Sequence, residues 1–117
     1  MVILMADAEL LKSRERIFKA LSDRTRLEII EFLKDGERCV CEIMPKLGKA
    51  QSTTSKSLDI LFVAGILERC IDGKKTIYSI KHDEIFKIMR DVDQLSLKNL
   101  STLSKTVKVL EEKLKEK

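Results

Sequence analysis

The sequence of 117 residues predicts a mainly α-helical protein with one small β-hairpin. Three observations predict this fold class. Apolar residues recur at helical spacing through most of the chain. One helix-forming stretch, which begins near Gln51 and stops at Gly65, is polar in its first half and apolar in its second. Directly after it, two β-leaning runs flank Asp72-Gly73, a pair typical of a tight hairpin turn.

Three helices are expected before the polar one. They cover Ala6–Leu21, Arg24–Lys34 and Glu42–Leu47, with Ser22-Asp23 as the cap of the second. The second helix is apolar nearly all round, which is typical of a buried central helix. Pro45 fits the short third helix if it falls in the first turn.

The helix that begins near Gln51 has apolar residues in its C-terminal half, which should pack into a core. Its first turns carry hydroxyl and amide side chains with one cation. A helix N-terminus also offers free N–H groups and partial positive charge, which suit phosphate. A helix-turn-helix presents such a helix to the DNA major groove. The predicted DNA contacts in this helix are Gln51, Ser52, Thr53, Thr54, Ser55 and Lys56.

The hairpin adds two cations to this surface. Its strands are expected at Ile66–Ile71 and Thr76–Ile80, and Lys74 and Lys75 follow the turn signal. Two lysines beside a polar helix could straddle a phosphate backbone, so both belong to the predicted DNA-binding set. A merely solvated turn is the alternative reading.

After the hairpin, one long helix is expected from about residue 83 to residue 116. Apolar residues in its second half step by three and four, which is typical of a coiled-coil seam: Leu100, Leu103, Val107, Leu110 and Leu114. We expect this seam to extend a dimer interface that the first helix shares, with folding back onto its own chain as the alternative. The order of elements predicts a single domain, residues 1–117: a winged helix-turn-helix with N- and C-terminal helical dimerisation extensions.

Charge and composition favour double-stranded DNA as the partner. The net charge is +4, and residues 45–75, which include the polar helix and the hairpin, carry 6 basic and 3 acidic side chains. Aromatic residues make up only 4% of the chain and Trp is absent, which disfavours a base-stacking platform for single strands. No stretch is long and uncharged enough to span a bilayer, so we expect a cytoplasmic protein without a membrane partner.

Several motifs together resemble the ArsR-type (ArsR/SmtB) family of winged-helix, metal- and metalloid-responsive repressors, over roughly residues 17–80. They are FKALSDRTRLEII (Phe18–Ile30), ERCVCEI (Glu37–Ile43), AQSTTSKSLDIL (Ala50–Leu61), AGILER (Ala64–Arg69) and GKKTIYS (Gly73–Ser79). The resemblance implies a homodimer that binds a palindromic operator, represses transcription and leaves the DNA when an inducer ion binds. It also implies that Gln51–Lys56 enters the major groove, with Ser52, Thr53 and Ser55 as the main polar contacts.

The chain has three cysteines, an odd number that predicts thiols and not a secreted disulfide framework. In arsenic-sensing relatives, a C-V-C pair at the place of Cys39 and Cys41 supplies two of three thiolates to the ion. Soft thiolates suit As(III), Sb(III), Cd(II) or Zn(II) as effector. Met44 holds the third position here, and its thioether is not an anionic ligand. Cys70 is the possible third ligand, or else a thiol buried on its strand.

Other readings of the thiols stay open. The protein could respond to thiol oxidation or to no effector, and a disulfide between Cys39 and Cys41 would close a strained small ring. Oxidation is therefore expected between subunits or through Cys70. His82, the only histidine, is expected at a helix start or on the surface, since one histidine cannot supply the usual nitrogen ligands of Zn(II).

Two other classes of protein remain as alternatives to a DNA-binding repressor. A thiol enzyme is disfavoured because the chain has no C-x-x-C pair, no phosphate-cradling glycine loop and no paired histidine base, so we predict that the protein is not an enzyme. A winged-helix module that binds protein and not DNA is the second alternative. No metal or cofactor is expected to be required for the fold.

Overall fold

The structure, a computed structural model, describes residues 2–100 and 104–116. Its elements follow the chain in the order α1 (Val2–Leu21), α2 (Arg24–Phe32), β1 (Arg38–Cys39), α3 (Val40–Leu47), α4 (Gln51–Val63), β2 (Leu67–Asp72), β3 (Lys75–Ile80), α5 (Glu84–Asn99) and α6 (Ser104–Lys115). The predicted fold class, mainly helical with a small β-sheet, is confirmed. The chain divides after His82 into two compact units.

The core of the first unit lies around α2. This helix contacts α1, α3 and α4, as its apolar sequence predicted. The fully buried large side chains come from four helical segments and the start of β2, and they are Ile29, Ile30, Leu33, Ile43, Leu58, Leu61 and Leu67. Apolar burial of this kind is the main stabilising contribution to such a fold.

The first two helices differ little from prediction. Asp23 caps α2 as expected, because its carboxylate accepts a hydrogen bond from the backbone N–H of Arg26 (3.2 Å). The first helix begins at Val2, four residues before the predicted start. The second ends at Phe32 and continues as a 3₁₀ turn over Leu33–Asp35.

The third helix begins two residues earlier than predicted. Cys39 is its N-cap residue, and the backbone N–H of Cys39 donates to the Glu42 carboxylate (3.2 Å). Pro45 is therefore the sixth residue of α3 and not part of its first turn, so its missing N–H removes one helical hydrogen bond. The helix ends two residues later at Leu47, and its C-cap residue Gly48 adopts the left-handed conformation (φ 62°, ψ 23°).

The β-sheet has a strand that the sequence analysis did not find. The strand order is β1-β3-β2 and both pairings are antiparallel, with Arg38 opposite Tyr78 and Cys39 opposite Ile77 in the first. In the hairpin, Asp72 pairs with Lys75, so the two turn residues are Gly73 and Lys74 and not Asp72 and Gly73. Gly73 has φ 65°, which suits the first central position of a type II′ turn.

The second unit contains two helices where the sequence predicted one. The chain leaves the α-helix at Leu100, the C-cap residue of α5, and α6 begins at Ser104. The prediction of a continuous helix over residues 83–116 is therefore wrong. The predicted coiled-coil seam, which begins at Leu100, does not continue the helix α5. Leu103 of that seam lies outside the described residues. The two helices contact each other, and each carries a buried apolar residue, Leu97 and Val107. In the part of the chain that the structure describes, no helix could cross a membrane.

Candidate DNA-binding surface and thiol pair

One face of α4 anchors this helix in the first unit. The buried positions are Thr54, Ser57, Leu58 and Leu61, which recur every three or four residues along one side. Helix α4 packs against α2 and β2. The opposite side of α4 is consequently left for a partner.

The first turns of α4 expose most of the predicted DNA-binding residues: Gln51, Ser52, Thr53, Ser55 and Lys56. Thr54 is the exception and corrects the prediction. Its side chain is fully buried, because it lies on the same face as Leu58 and Leu61, so it cannot reach DNA. Ala50 precedes the helix and has no side-chain group that could cap the N–H groups of this turn.

A groove of about 510 Å³ separates α4 from the β-hairpin, and we call it the α4–hairpin groove. From the helix, Ser55 and Asp59 line it; from the hairpin, Lys74 and Thr76 do so. The structure therefore places a predicted helix contact and a predicted lysine contact on one concave surface. The groove is lined by residues of α3, α4 and the hairpin, which are Val40, Ser55, Leu58, Asp59, Arg69, Ile71, Lys74, Thr76 and Tyr78.

Lys75 lies on the other face of the hairpin. Side chains alternate along a strand, so Lys75 shares a face with Ile77 while Thr76 shares one with Tyr78. Accordingly Lys75 lines a second, smaller depression together with Cys39 and Cys41. The two predicted lysines therefore point to different surroundings, and only Lys74 lines the α4–hairpin groove.

Arg69 on β2 joins the hairpin to α4, and the sequence analysis did not single it out as a site residue. Its Nη1 donates to Asp59 Oδ1 (3.1 Å) and to the Tyr78 hydroxyl (3.4 Å). Its guanidinium also lies 3.9 Å from the centre of the Phe62 ring. The hydrogen bond with Tyr78, together with the charge of Asp59, raises the pKa of Arg69 above its ordinary value. Like any arginine, Arg69 is charged at physiological pH.

Cys39 and Cys41, which we call the thiol pair, lie at the junction of β1 and α3. Cys39 is buried and Cys41 is exposed in the first turn of α3. The structure joins their sulfur atoms in a disulfide, with 5.1 Å between the Cα atoms. This corrects the expectation that the two cysteines are free thiols that would not pair with each other. Because the backbone passes here from strand to helix, the Cα separation falls within the range that disulfides use.

Cys70 is a free and exposed thiol on β2, so the predicted burial on the strand is wrong. Cys70 and Cys39 both lie opposite Ile77, from the two sides of β3. Two strand spacings amount to about 10 Å, and one ion cannot bridge such a distance. The structure therefore does not bring Cys70 to the thiol pair, and the described residues contain no group of three or more metal-ligating side chains. His82 is exposed, as expected.

An exposed polar helix in a helix-turn-helix, with a hairpin wing across a groove from it, defines the class of winged helix-turn-helix DNA-binding proteins. Residues 23–69 match the model of the bacterial regulatory protein, arsR family. The chain belongs to the arsR family of transcriptional regulators. It is a DNA-binding regulator and not an enzyme.

Two relatives show the extent of the similarity. The chain is 42% identical over 80 residues to the uncharacterized HTH-type transcriptional regulator MJ1325 of Methanocaldococcus jannaschii, over 68% of this chain and 90% of that protein. It is 30% identical over 97 residues to the arsenical resistance operon repressor of Staphylococcus aureus, over 83% of this chain and 93% of that protein.

A solved structure shows the same fold. The homodimeric winged helix-turn-helix DNA-binding domain of Mb0332 from Mycobacterium bovis, a possible ArsR-family regulator, matches with a TM-score of 0.72 and 29% identity. The match covers 82% of this chain and 89% of that domain. The family assignment therefore favours DNA binding over the alternative of a protein-interaction module.

Proposed function

We propose that this protein is a homodimeric transcriptional repressor that contacts a palindromic operator through α4 and the hairpin. A soft metal or metalloid ion, bound by the thiol pair, would release it from the DNA. The observation that carries the proposal is the α4–hairpin groove, which Ser55 and Lys74 both line beside the exposed first turns of α4. The protein would act in the cytoplasm, where a bacterial regulator meets the chromosome.

Exposed apolar side chains on α1 and α5 support a homodimer. On α1, Leu4, Leu11 and Phe18 recur at intervals of seven residues and are 71%, 60% and 61% exposed. On α5, the exposed apolar residues follow helical spacing and are Ile88, Val92 and Leu95. Such stripes need a partner, and the related Mycobacterium bovis domain is homodimeric. A two-fold symmetric dimer would match a palindromic operator.

The DNA contacts can be tested by fluorescence anisotropy on the DNA upstream of the gene, at several salt concentrations. Lys56→Ala and Lys74→Ala should each lower the affinity and reduce the steepness of its salt dependence. Each substitution occurs in both protomers and removes two phosphate contacts, so the log–log slope should fall by about 1.8. Lys34→Ala, which removes an exposed lysine in the 3₁₀ turn after α2, is the matched control and should leave the slope unchanged. An unaltered slope in both test variants would contradict the proposed surface.

The thiol pair is positioned to pass an effector signal to the DNA-binding elements. Cys39 pairs with Ile77 of the wing strand β3, whereas Cys41 lies in the first helix of the helix-turn-helix. An ion held by both thiolates would tie these two elements together, after each thiol has lost its proton. The similarity to an arsenical resistance repressor supports As(III) as an effector, with Cd(II) and Zn(II) as further soft candidates.

Ion binding can be measured apart from DNA. After reduction, the protein should bind As(III) or Cd(II) with one ion per chain in equilibrium dialysis, with Cd(II) adding an ultraviolet thiolate-to-metal absorption band. Cys39→Ser and Cys41→Ser should each abolish binding. Cys70→Ser is the matched control and should bind as the unaltered chain does, since Cys70 lies across β3 from the pair. Unimpaired binding without Cys39 or Cys41 would refute this site.

Thiol oxidation is the second candidate signal, and the disulfide between Cys39 and Cys41 favours it. Two thiols would lose two protons and two electrons to an oxidant such as a hydroperoxide, which is reduced to an alcohol and water. If the peroxide alone changes DNA affinity, and a dithiol reverses the change, the pair is a redox switch. If only the soft ion acts, the ion-sensing proposal holds.

A further inference from the structure

We infer that Arg69 is a positioning residue for DNA binding: it holds the wing at a fixed distance from α4 and neutralises Asp59 at the DNA-facing surface. This inference rests on the proposed α4–hairpin surface. Arg69 itself does not contact DNA in this account. It acts through the two elements that do.

Arg69 links α4 and the hairpin through three side-chain contacts. One guanidinium on β2 bonds to a carboxylate on α4, bonds to a hydroxyl on β3 and stacks on a ring of α4. A planar guanidinium with several donors can make all three contacts at once, which a lysine ammonium cannot. The link therefore connects α4 with both strands of the hairpin.

The link between Arg69 and Asp59 lies in the α4–hairpin groove. Arg69 and Asp59 line the same groove as Ser55 of α4 and Lys74 of the hairpin, the two predicted DNA contacts in it. The spacing of these contacts must match the spacing of groups on the DNA. A side chain that joins the two walls of the groove sets that spacing.

Arg69 also compensates the negative charge of Asp59. Asp59 follows Ser55 by one helical turn on the exposed side of α4, and its side chain is 65% exposed. A carboxylate at this place would repel DNA phosphates. The paired Arg69 cancels that charge, while its own side chain is only 40% exposed and already bonded to protein groups. The pair thus adds no net charge to the surface.

The experiment measures DNA affinity and its salt dependence for Arg69→Met, Asp59→Asn and the double variant, with Lys34→Met as the control for loss of one positive charge. Arg69→Met should weaken binding by about tenfold, within the range of coupling between contacting residues. The salt slope should change by much less than the value of about 1.8 that a lost phosphate contact in each protomer would give. Adding Asp59→Asn to Arg69→Met should restore part of the affinity, since the unpaired carboxylate is then gone. Arg69→Lys should bind with intermediate affinity.

Several results would overturn the inference. A slope lower by about 1.8 would make Arg69 a direct phosphate contact in both protomers. Affinity equal to that of Lys34→Met would show that the link has no role, and a loss without rescue by Asp59→Asn would show only a general structural effect. If Arg69→Met does not fold, as judged by circular dichroism, Arg69→Lys tests the link alone, because it keeps the charge and loses the planar guanidinium. Lower DNA affinity of Arg69→Lys would then support the positioning role, and unaltered affinity would overturn it. If Lys56→Ala and Lys74→Ala leave binding unchanged, it is the proposed DNA surface that fails, whatever Arg69 does.

Discussion

Thr54 is a polar residue inside the core of the first unit. Its side chain is fully buried and its hydroxyl oxygen has no hydrogen-bond partner within the described structure. A buried hydroxyl without a partner is destabilising because it has lost its bonds to water. The helix thus retains a polar group at a position where an apolar one of similar size would fit.

Thr54→Val should therefore raise the free energy of unfolding by about 1 kcal/mol, because it removes the unpaired hydroxyl and retains most of the side-chain volume. For a protein of this size the melting temperature should rise by about 4 °C. Thermal unfolding followed by circular dichroism measures both. Thr53→Val changes the exposed neighbour in the same way and should shift stability by less than about 0.5 kcal/mol. A destabilised Thr54→Val protein would mean that the hydroxyl has a partner.

The same residue shows what the sequence could predict about the site. The polar run at the start of α4 correctly marked an exposed surface at Ser52, Thr53, Ser55 and Lys56. It did not reveal that Thr54 belongs to the buried face, because a run of similar polar residues hides the helical period. Counting back four and seven residues from the apolar Leu58 and Leu61 would have placed Thr54 there.

At the scale of elements, the turn of the helix-turn-helix depends on Gly48. This residue ends α3 in the left-handed conformation, and its N–H donates to the carbonyl of Met44 (3.2 Å). A Cβ at this position would meet no atom within 4 Å, so the penalty for a side chain lies in the backbone alone. The direction in which α4 leaves the turn follows from this conformation.

Gly48→Ala should lower the free energy of unfolding by about 1 kcal/mol, the penalty for a non-glycine residue in the left-handed region. Gly48→Asn should lose less, since asparagine tolerates this conformation better. Urea unfolding of the two variants beside the unaltered protein measures the difference. Equal stability of the alanine variant and the unaltered protein would argue against a left-handed residue at this turn.

The elements differ in how well the sequence predicted them. Periodic apolar residues and capping groups predicted the position of α2, and Asp72-Gly73 predicted a hairpin to within one residue. Strand β1 has only two residues, too few to show a period of two, so pairing with β3 creates it. The break between α5 and α6 also escaped prediction, because no glycine or proline lies near Leu100 to signal it.

At the scale of the whole molecule, the proposed dimer requires the apolar stripes on α1 and α5. Leu95 is 61% exposed on α5, which makes it suitable for a test of the interface. A charge introduced there would have to be buried when two protomers associate, and burial of an unpaired charge is strongly unfavourable.

Leu95→Glu should therefore shift the protein from dimer to monomer in sedimentation velocity and lower its affinity for a palindromic site. Gln94→Glu is the matched control, since it introduces the same charge at an exposed residue that lies about 100° around α5 from Leu95, outside the apolar stripe. This control should remain dimeric. A dimeric Leu95→Glu protein would show that α5 does not form the interface through this stripe.

The most direct test of the whole account is the release of DNA by an effector. Reduced protein bound to the DNA upstream of its gene is titrated with As(III) and Cd(II) while anisotropy is recorded, beside Cys39→Ser, Cys41→Ser and Cys70→Ser. We expect release by at least one of these ions in the unaltered protein and in Cys70→Ser, and no release without Cys39 or Cys41. The proposed function would be contradicted by release that persists in Cys39→Ser or Cys41→Ser, by no release of the unaltered protein with either ion, or by no salt-sensitive DNA binding before any ion is added.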